Sequence, residues 1–326
     1  MDPVWRTLTR DDAPALAELN AAADAVDQLD EAYGAEDFAE EFDSPAVDAQ
    51  DGAYGAFIDG RLVAAGIVYA RTAADPVHRM FFWGKVLPEL RRRGLGTAVV
   101  EWALGAAARI TERRFPGARC ELHAGVHDTL TGGVALFKAC GFTAKRYEFL
   151  MELDLAGRES GKTQVPDGFT LINYEDALAE EFRDTHNIAF VPDHPGSTIQ
   201  TVESWPHVMG TGTASFQGEL TFGLRDAESG TLAGYIFCRC YEANTAATGR
   251  RDLYINYIGT RREHRGRGIA STLINLAAEG AAARGFDSAS LGVYGDNPSG
   301  ALGVYQRAGF TVRHRMTIFM REASVG

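Results

Sequence analysis

A short phrase occurs twice in this chain and limits the folds open to it. Arg91-Arg92-Arg93-Gly94-Leu95-Gly96 and Arg265-Gly266-Arg267-Gly268-Ile269-Ala270 both read Arg-x-x-Gly-x-Gly/Ala. Each follows a β-rich run (residues 80–86 and 253–258) and precedes an Ala-rich helical run. In a strand-to-helix turn, small residues at two fixed offsets leave consecutive backbone N–H groups exposed. The positive end of the helix dipole lies at the same point, so the turn suits a pyrophosphate. Two copies predict a duplicated fold with two anion-cradling turns.

The rest of the chain can be read twice in the same order. The first half opens with a strand at 5–8, helical material over 13–42, and two strands (52–58, 62–70) joined at Asp59-Gly60, a hairpin signal. A strand over 78–86, the Arg/Gly turn and a helix over 94–113 follow, with Val99, Trp102, Ala103, Ala106 and Ile110 at helical spacing. A strand (119–126), a helix (133–139) stopped at Gly141, and a β pair over 142–155 complete it. The second half has a strand at 169–173, a helix over 174–189, and a stretch broken by Pro192, Pro195 and Pro206. Strands at 221–225, 232–241 and 252–258, a helix over 268–284, a strand at 288–294, a helix over 299–308 and a strand over 311–321 close the series. Residues 157–167, polar and Gly/Pro-bearing, read as a linker between domains 1–156 and 168–326. The Gly157-Arg-Glu-Ser-Gly-Lys-Thr163 within it lacks the spacing and preceding strand of a phosphate-binding loop.

Composition narrows the function. A net charge of −12 argues against nucleic acid, which needs a basic face. The acidity is uneven. Residues 11–60 hold no Lys or Arg but many carboxylates, among them Asp24, Asp27, Asp30, Glu31, Glu36, Asp37, Glu40, Glu41 and Asp43. A solvated helical face accounts for these, and long-range attraction of a cationic substrate is the sharper alternative. No apolar stretch approaches the roughly 20 residues of a membrane span, and the N-terminus lacks the basic-then-apolar order of a signal peptide. The expectation is a cytoplasmic protein without membrane or nucleic-acid partners, monomeric or homodimeric. Cys120, Cys140, Cys238 and Cys240 form neither a zinc nor a disulfide pattern; they read as small buried hydrophobes, and no metal is expected.

The two turns, the helices after them, and a later Asn-x-x-x-Ala-x-x-x-Tyr-x-x-x-Gly-Phe run resemble the GCN5-related N-acetyltransferase (GNAT) superfamily, duplicated in tandem. In the second half that run is complete: Asn297, Ala301, Tyr305, Gly309 and Phe310. The resemblance covers nearly the whole chain. It implies an α/β (α+β) architecture of two tandem GNAT folds, each a mixed, mostly antiparallel twisted sheet flanked by helices. It also implies acetyl-CoA as co-substrate and a small-molecule amine as acceptor. In the second half the cofactor would be held by Ile258, Gly259, Thr260, Arg265, Gly266, Arg267, Gly268, Ile269, Ala270 and Asn297. In the first half Arg91, Arg92, Arg93, Gly94, Leu95 and Gly96 would do so. Length and asymmetry also resemble the mycothiol synthases, implying acetylation of a cysteinyl amino-sugar as a narrower alternative. A non-catalytic acyl-CoA sensor is the other.

Acetyl transfer to an amine requires a neutral amine, a donor for the oxyanion and an acid for the departing thiolate. The family pattern assigns the acid to Tyr305. The first half has Thr129, Gly133, Phe137, Gly141 and Phe142 in the corresponding run, and phenylalanine cannot donate a proton. The first half therefore reads as degenerate and the second as the enzyme. For the base, many family members carry a glutamate about fourteen residues before the turn's first glycine. Tyr254 stands there instead, so the order of candidates is Asp252, Glu242, then Tyr254. His186, His194, His207 and Trp205 fall in the region that would cover the acceptor, where they read equally as ordinary loop and helix-face residues.

Overall fold

The computed structural model describes residues 2–74, 76–194, 197–296 and 300–324; Pro195, Asn297 and Ser299 lie outside them. In chain order the elements are β1 (Val4–Thr7), α1 (Ala13–Asp27), α2 (Ala35–Asp43), β2 (Ala53–Ile58), β3 (Arg61–Ala74), β4 (Val77–Val86), α3 (Leu95–Arg114), β5 (Arg119–His127), α4 (Thr131–Ala139) and β6 (Thr143–Asp154). There follow β7 (Phe169–Asn173), α5 (Ala179–Ala189), α6 (Trp205–Met209), β8 (Phe222–Asp226), β9 (Leu232–Arg239), α7 (Glu242–Thr248), β10 (Asp252–Thr260), α8 (Ile269–Ala283), β11 (Ser288–Tyr294), α9 (Ala301–Arg307) and β12 (Thr311–Ala323). They form two compact units, Met1–Tyr147 with Arg315–Gly326, and Glu148–His314.

In the first unit the strands lie in the order β1-β2-β3-β4-β5-β12, in the second β7-β8-β9-β10-β11-β6. Within each unit one neighbouring pair is parallel, β4 with β5 and β10 with β11, and the rest are antiparallel. Strands buried on both faces read as continuous apolar runs. Hence Leu62–Val68 of β3 and Leu232–Cys238 of β9 are buried throughout. One helix after each glycine turn covers its sheet. From α3, Val99, Val100, Ala103, Ala106 and Ile110 are buried; from α8, Leu273, Ile274, Ala277 and Ala281 are fully buried. Each such Leu, Ile or Val side chain contributes about 1.5–3 kcal/mol by leaving water.

The parallel pairs do not run their full length. β4 and β5 pair from Val77↔Arg119 to Phe82↔Ala124. β10 and β11 pair only over Asp252↔Ser288, Leu253↔Ala289 and Tyr254↔Ser290. Past those points the strands part, leaving backbone groups that a ligand can pair with. β10 also carries a bulge between Ile255 and Tyr257 opposite β9; such an extra residue bends a strand and re-aims its side chains.

Three local expectations are corrected. The helical stretch read over 13–42 is two helices. α1 stops where Gln28 and Asp30 take φ of 53° and 55°, and the Asp24 carboxylate accepts the backbone N–H groups of Leu29 and Glu31. The last strands are exchanged. Glu148–Asp154 of β6, read as part of the first half, pairs with β11 in the second unit, and Met316–Ala323 of β12 pairs with β5 in the first. The stretch 157–167 is correspondingly no junction between the units. It lies on α8, where Glu279 accepts hydrogen bonds from Gly161 N, Thr163 N and Thr163 Oγ1, and Arg158 donates to Asn275. Cys238 and Cys240 are buried free thiols, as read, and burial pushes the pKa of both up.

Candidate functional site

In the second unit the turn enters α8 through Gly266 and Gly268, with φ of 76° and 80°, a region glycine occupies without strain. A Cβ on either glycine would meet nothing within 4 Å, so the space above the turn is open. The first helical bond runs from Thr272 N to Gly268 O at 2.9 Å, and the N–H groups before it have no partner within the helix. These donors and the open space fit a pyrophosphate. A cavity of about 360 Å³ begins here, lined by Ile258, Gly259 and Thr260 of β10, by His264, Arg265, Gly266, Gly268, Ile269 and Ala270 of the turn, and by Tyr305 and Arg307 of α9.

The arginine side chains of the motif are engaged by the protein itself. Arg265 donates to Thr260 O at 3.2 Å and Ala189 O at 3.3 Å, fastening the turn to the strand before it. Arg267 is taken up by Asp226 at 3.3 Å and by the face of Phe169, 4.3 Å from its ring centre. The Ile269 side chain enters the core.

Tyr305 is 7% exposed on α9. Burial raises its hydroxyl well above the ordinary tyrosine range, so it holds its proton at neutral pH. The Gly-Phe pair after it closes the helix: Phe310 N donates to Tyr305 O at 3.0 Å, and the rings lie 6.0 Å apart.

The proposed bases are not brought to this cavity. Asp252 sits at the closed end of the β10/β11 pair, roughly 20 Å of extended strand from Ile258. It accepts Ser288 Oγ at 2.7 Å and also Ser290 Oγ. Burial raises its pKa, against the two serine hydrogen bonds. It ties two strands together. Glu242 is exposed at the start of α7. Tyr254 lies at the point where the strands part, beside Tyr241, and burial followed by the charge of Glu148 pushes its pKa far up, so it cannot accept a proton at neutral pH. Asn297 lies outside the described residues.

Of the histidines named from the sequence, His186 has a partner that the sequence reading did not name, Tyr235. His186 is 1% exposed, and its Nδ1 is hydrogen-bonded to the Tyr235 hydroxyl at 2.7 Å. A Cβ on Gly259 would lie 2.6 Å from the Tyr235 ring, so glycine is required for β10 to pass this tyrosine. The sequence reading placed Tyr235 only within the strand at 232–241. His194 lines the cavity, stacked on Phe190 at 3.6 Å. His207 is exposed, and Trp205 is a buried anchor.

The first unit repeats the site with other residues. Gly94 enters α3 at φ 86°, again with open space above it, and Ala98 N donates to Gly94 O at 3.0 Å. Arg91 donates to Val86 O at 3.2 Å and, through both terminal nitrogens, to Asp27 at 2.7 and 2.8 Å, so it fastens this turn as Arg265 fastens the other. Arg92 stands where the second unit has Gly266 and holds φ 63°, uncommon for a residue with a Cβ. Arg93 is exposed and Leu95 is buried. A cavity of about 480 Å³ is lined by Val86, Arg91, Arg92, Gly94, Gly96 and Phe137, and also by Glu31, Lys85 and His127. Phe137 packs edge-on against Phe142, 5.0 Å between ring centres. Lys85 and His127 were not named from the sequence, and Glu31 was named only among the carboxylates of residues 11–60.

Two units of one plan, each with a glycine turn opening a cavity beside a splayed parallel pair, define a tandem acyltransferase architecture. The chain belongs to the acetyltransferase (GNAT) family, whose model matches residues 15–142 and 175–310. Mycothiol acetyltransferase of Clavibacter michiganensis subsp. michiganensis is 27% identical over 233 residues, covering 68% of this chain and 66% of that protein. The fold is similar to a GCN5-related N-acetyltransferase of Sphaerobacter thermophilus, with TM-score 0.73, 24% identity, and 99% and 96% of the two chains covered. A tandem GNAT protein from the clavulanic acid biosynthesis pathway superposes with TM-score 0.70 at 20% identity over the full length of both chains. Among the described residues no helix is long and apolar enough to cross a membrane.

Proposed function

We propose that this chain is an acetyl-CoA-dependent N-acetyltransferase of a small-molecule primary amine, with the chemistry in the second unit. The observation that carries this is one cavity shared by the Gly266/Gly268 turn, the free end of β10 and the buried, protonated Tyr305. Acetyl-CoA supplies the activated acetyl group. The N–H groups that open α8 hold its pyrophosphate, where the helix dipole favours negative charge. The edge of β10 that β11 leaves open along Ile258, Gly259 and Thr260 offers strand backbone to its arm and an N–H to the developing oxyanion. After direct attack by the neutral amine in a ternary complex, Tyr305 donates a proton to the thiolate as it leaves, and the proton shed by the acetylated nitrogen restores the Tyr305 phenol through water. The first unit keeps the turn and lacks the acid, which supports a cofactor-holding role for Arg91–Gly96 without transfer to a free acceptor.

A narrower reading, acetylation of a cysteinyl amino-sugar, draws on the similarity to the mycothiol acetyltransferase. Steady-state assay of Tyr305→Phe tests the main proposal. The expected result is a kcat lowered about 10²–10⁴-fold with acetyl-CoA affinity nearly unchanged. An unchanged kcat removes Tyr305 from the mechanism.

A further inference from the structure

Lys85 is one of only four lysines in the chain. Lys138, Lys145 and Lys162 are exposed, whereas the Lys85 side chain is 11% exposed and lines the cavity of the first unit. It stands three residues past the last β4/β5 pair on β4, and His127 stands three past it on β5, so both occupy the gap where the strands part. Glu31, held by the turn after α1, reaches both: its carboxylate lies 3.8 Å from Lys85 Nζ and 2.9 Å from His127 Nε2. A primary amine, a carboxylate and an imidazole thus share one cavity with the Gly94 turn.

We propose that Lys85 is the acceptor of the first unit, which acetylates its own Nζ from acetyl-CoA. The inference rests on the reading that the Gly94 turn holds acetyl-CoA. The Lys85 ammonium gives one proton to Glu31, which His127 holds in place and whose part-exposed carboxylate releases it to water. The neutral Nζ then forms a bond to the thioester carbonyl carbon, the carbon–sulfur bond breaks, and the second proton of Nζ neutralises the thiolate, so that CoA leaves as the thiol. No oxidant or further reactant is needed. Phe137 supplies no acid, so the step is slow, but it is intramolecular, and proximity offsets much of that loss. It happens once per chain, because the amide product carries no basic nitrogen and stays attached. Acetylation also removes the charge that pairs Lys85 with Glu31. Glu31 and His127 thereby acquire a chemical reason to be in a unit without a catalytic tyrosine.

The test is peptide mass spectrometry of the full chain incubated with acetyl-CoA, alongside calorimetric titration of acetyl-CoA into wild type, Lys85→Arg and Gly94→Glu. The expected result is acetyl-lysine at position 85 accumulating at least about tenfold faster than at Lys138, Lys145 or Lys162, slowed in Glu31→Gln and absent in Gly94→Glu. Lys85→Arg keeps the charge and should bind acetyl-CoA in the first unit without gaining an acetyl group there. Binding at the first unit with Lys85 modified no faster than the exposed lysines overturns this proposal and leaves the functional reading intact. Absence of binding at the first unit overturns this proposal and the cofactor-holding role of that unit together.

Discussion

The two units share a turn and differ in what surrounds it. The second has a tyrosine where the thiolate would leave, and none of Asp252, Glu242 and Tyr254 lines its cavity. The first has Phe137 in place of that tyrosine, but its cavity holds Glu31, His127 and Lys85 between the parting strands. What duplication preserved is the backbone device: a first arginine folded back onto the strand end, a glycine at positive φ, and N–H groups aimed into open space. What it left free to change is the set of side chains that move protons. Cofactor binding by backbone tolerates drift in side chains, whereas proton transfer depends on single atoms.

The largest effect expected on this comparison comes from charging each turn in turn. Gly268→Glu puts a carboxylate where the pyrophosphate would sit and should lower acetyl transfer by more than about 100-fold. Gly94→Glu should leave transfer to a free amine within about threefold of wild type. Gly268→Asn and Gly94→Asn, which tolerate the left-handed backbone better, separate charge from strain. Equal losses from both glutamate variants would contradict the division between units.

A second difference concerns stability. His78 is fully buried in the first unit, with Nδ1 on Thr111 Oγ1 and Nε2 on Arg71 O, each at 2.9 Å. Burial, with the charge of Arg114, holds its pKa below the usual histidine value against the hydrogen bond to Arg71. The folded state therefore binds this proton less readily than the unfolded chain. Stability is complete above about pH 6.5 and falls as the pH drops from there toward the folded pKa. Thermal unfolding between about pH 7.5 and 5 should weaken the wild-type first unit more steeply than His78→Gln. Parallel curves would show that His78 is not the group responsible.

The smallest effect is at Arg92. Its φ of 63° is the conformation that Gly266 takes without cost in the other unit. Arg92→Gly should stabilise the first unit by about 1 kcal/mol, read from its denaturant midpoint. A loss of stability would mean that the guanidinium makes an interaction outweighing the strain.

Much of this was legible in the sequence because it is carried by period and by glycine. The repeated Arg-x-x-Gly-x-Gly/Ala gave the duplication, and the apolar runs at 62–70 and 232–241 gave the strands β3 and β9. Tyr305 and Phe137 stand at matching places, each followed by the Gly-Phe that closes its helix. The exchange of β6 and β12 was not legible, because a strand's pattern states which face is buried and not which neighbour it pairs with. The place of Asp252 outside the cavity was not legible for a related reason: spacing along a strand gives a face but not a distance from the cavity. Glu31, Lys85 and His127 come together from a turn and two strands, through contacts distant in sequence. The one signal for Lys85 was composition, a lysine in a chain that otherwise uses arginine.

Isothermal titration of acetyl-CoA into wild type, Gly94→Glu and Gly268→Glu tests the central claim most directly. Two sites in wild type, one lost with each variant, is the result expected if both turns hold cofactor and the units differ only in the chemistry around them. A single site, abolished by Gly268→Glu and untouched by Gly94→Glu, would make the first unit a scaffold and contradict the account. Absence of binding in all three proteins would contradict the acetyltransferase reading itself.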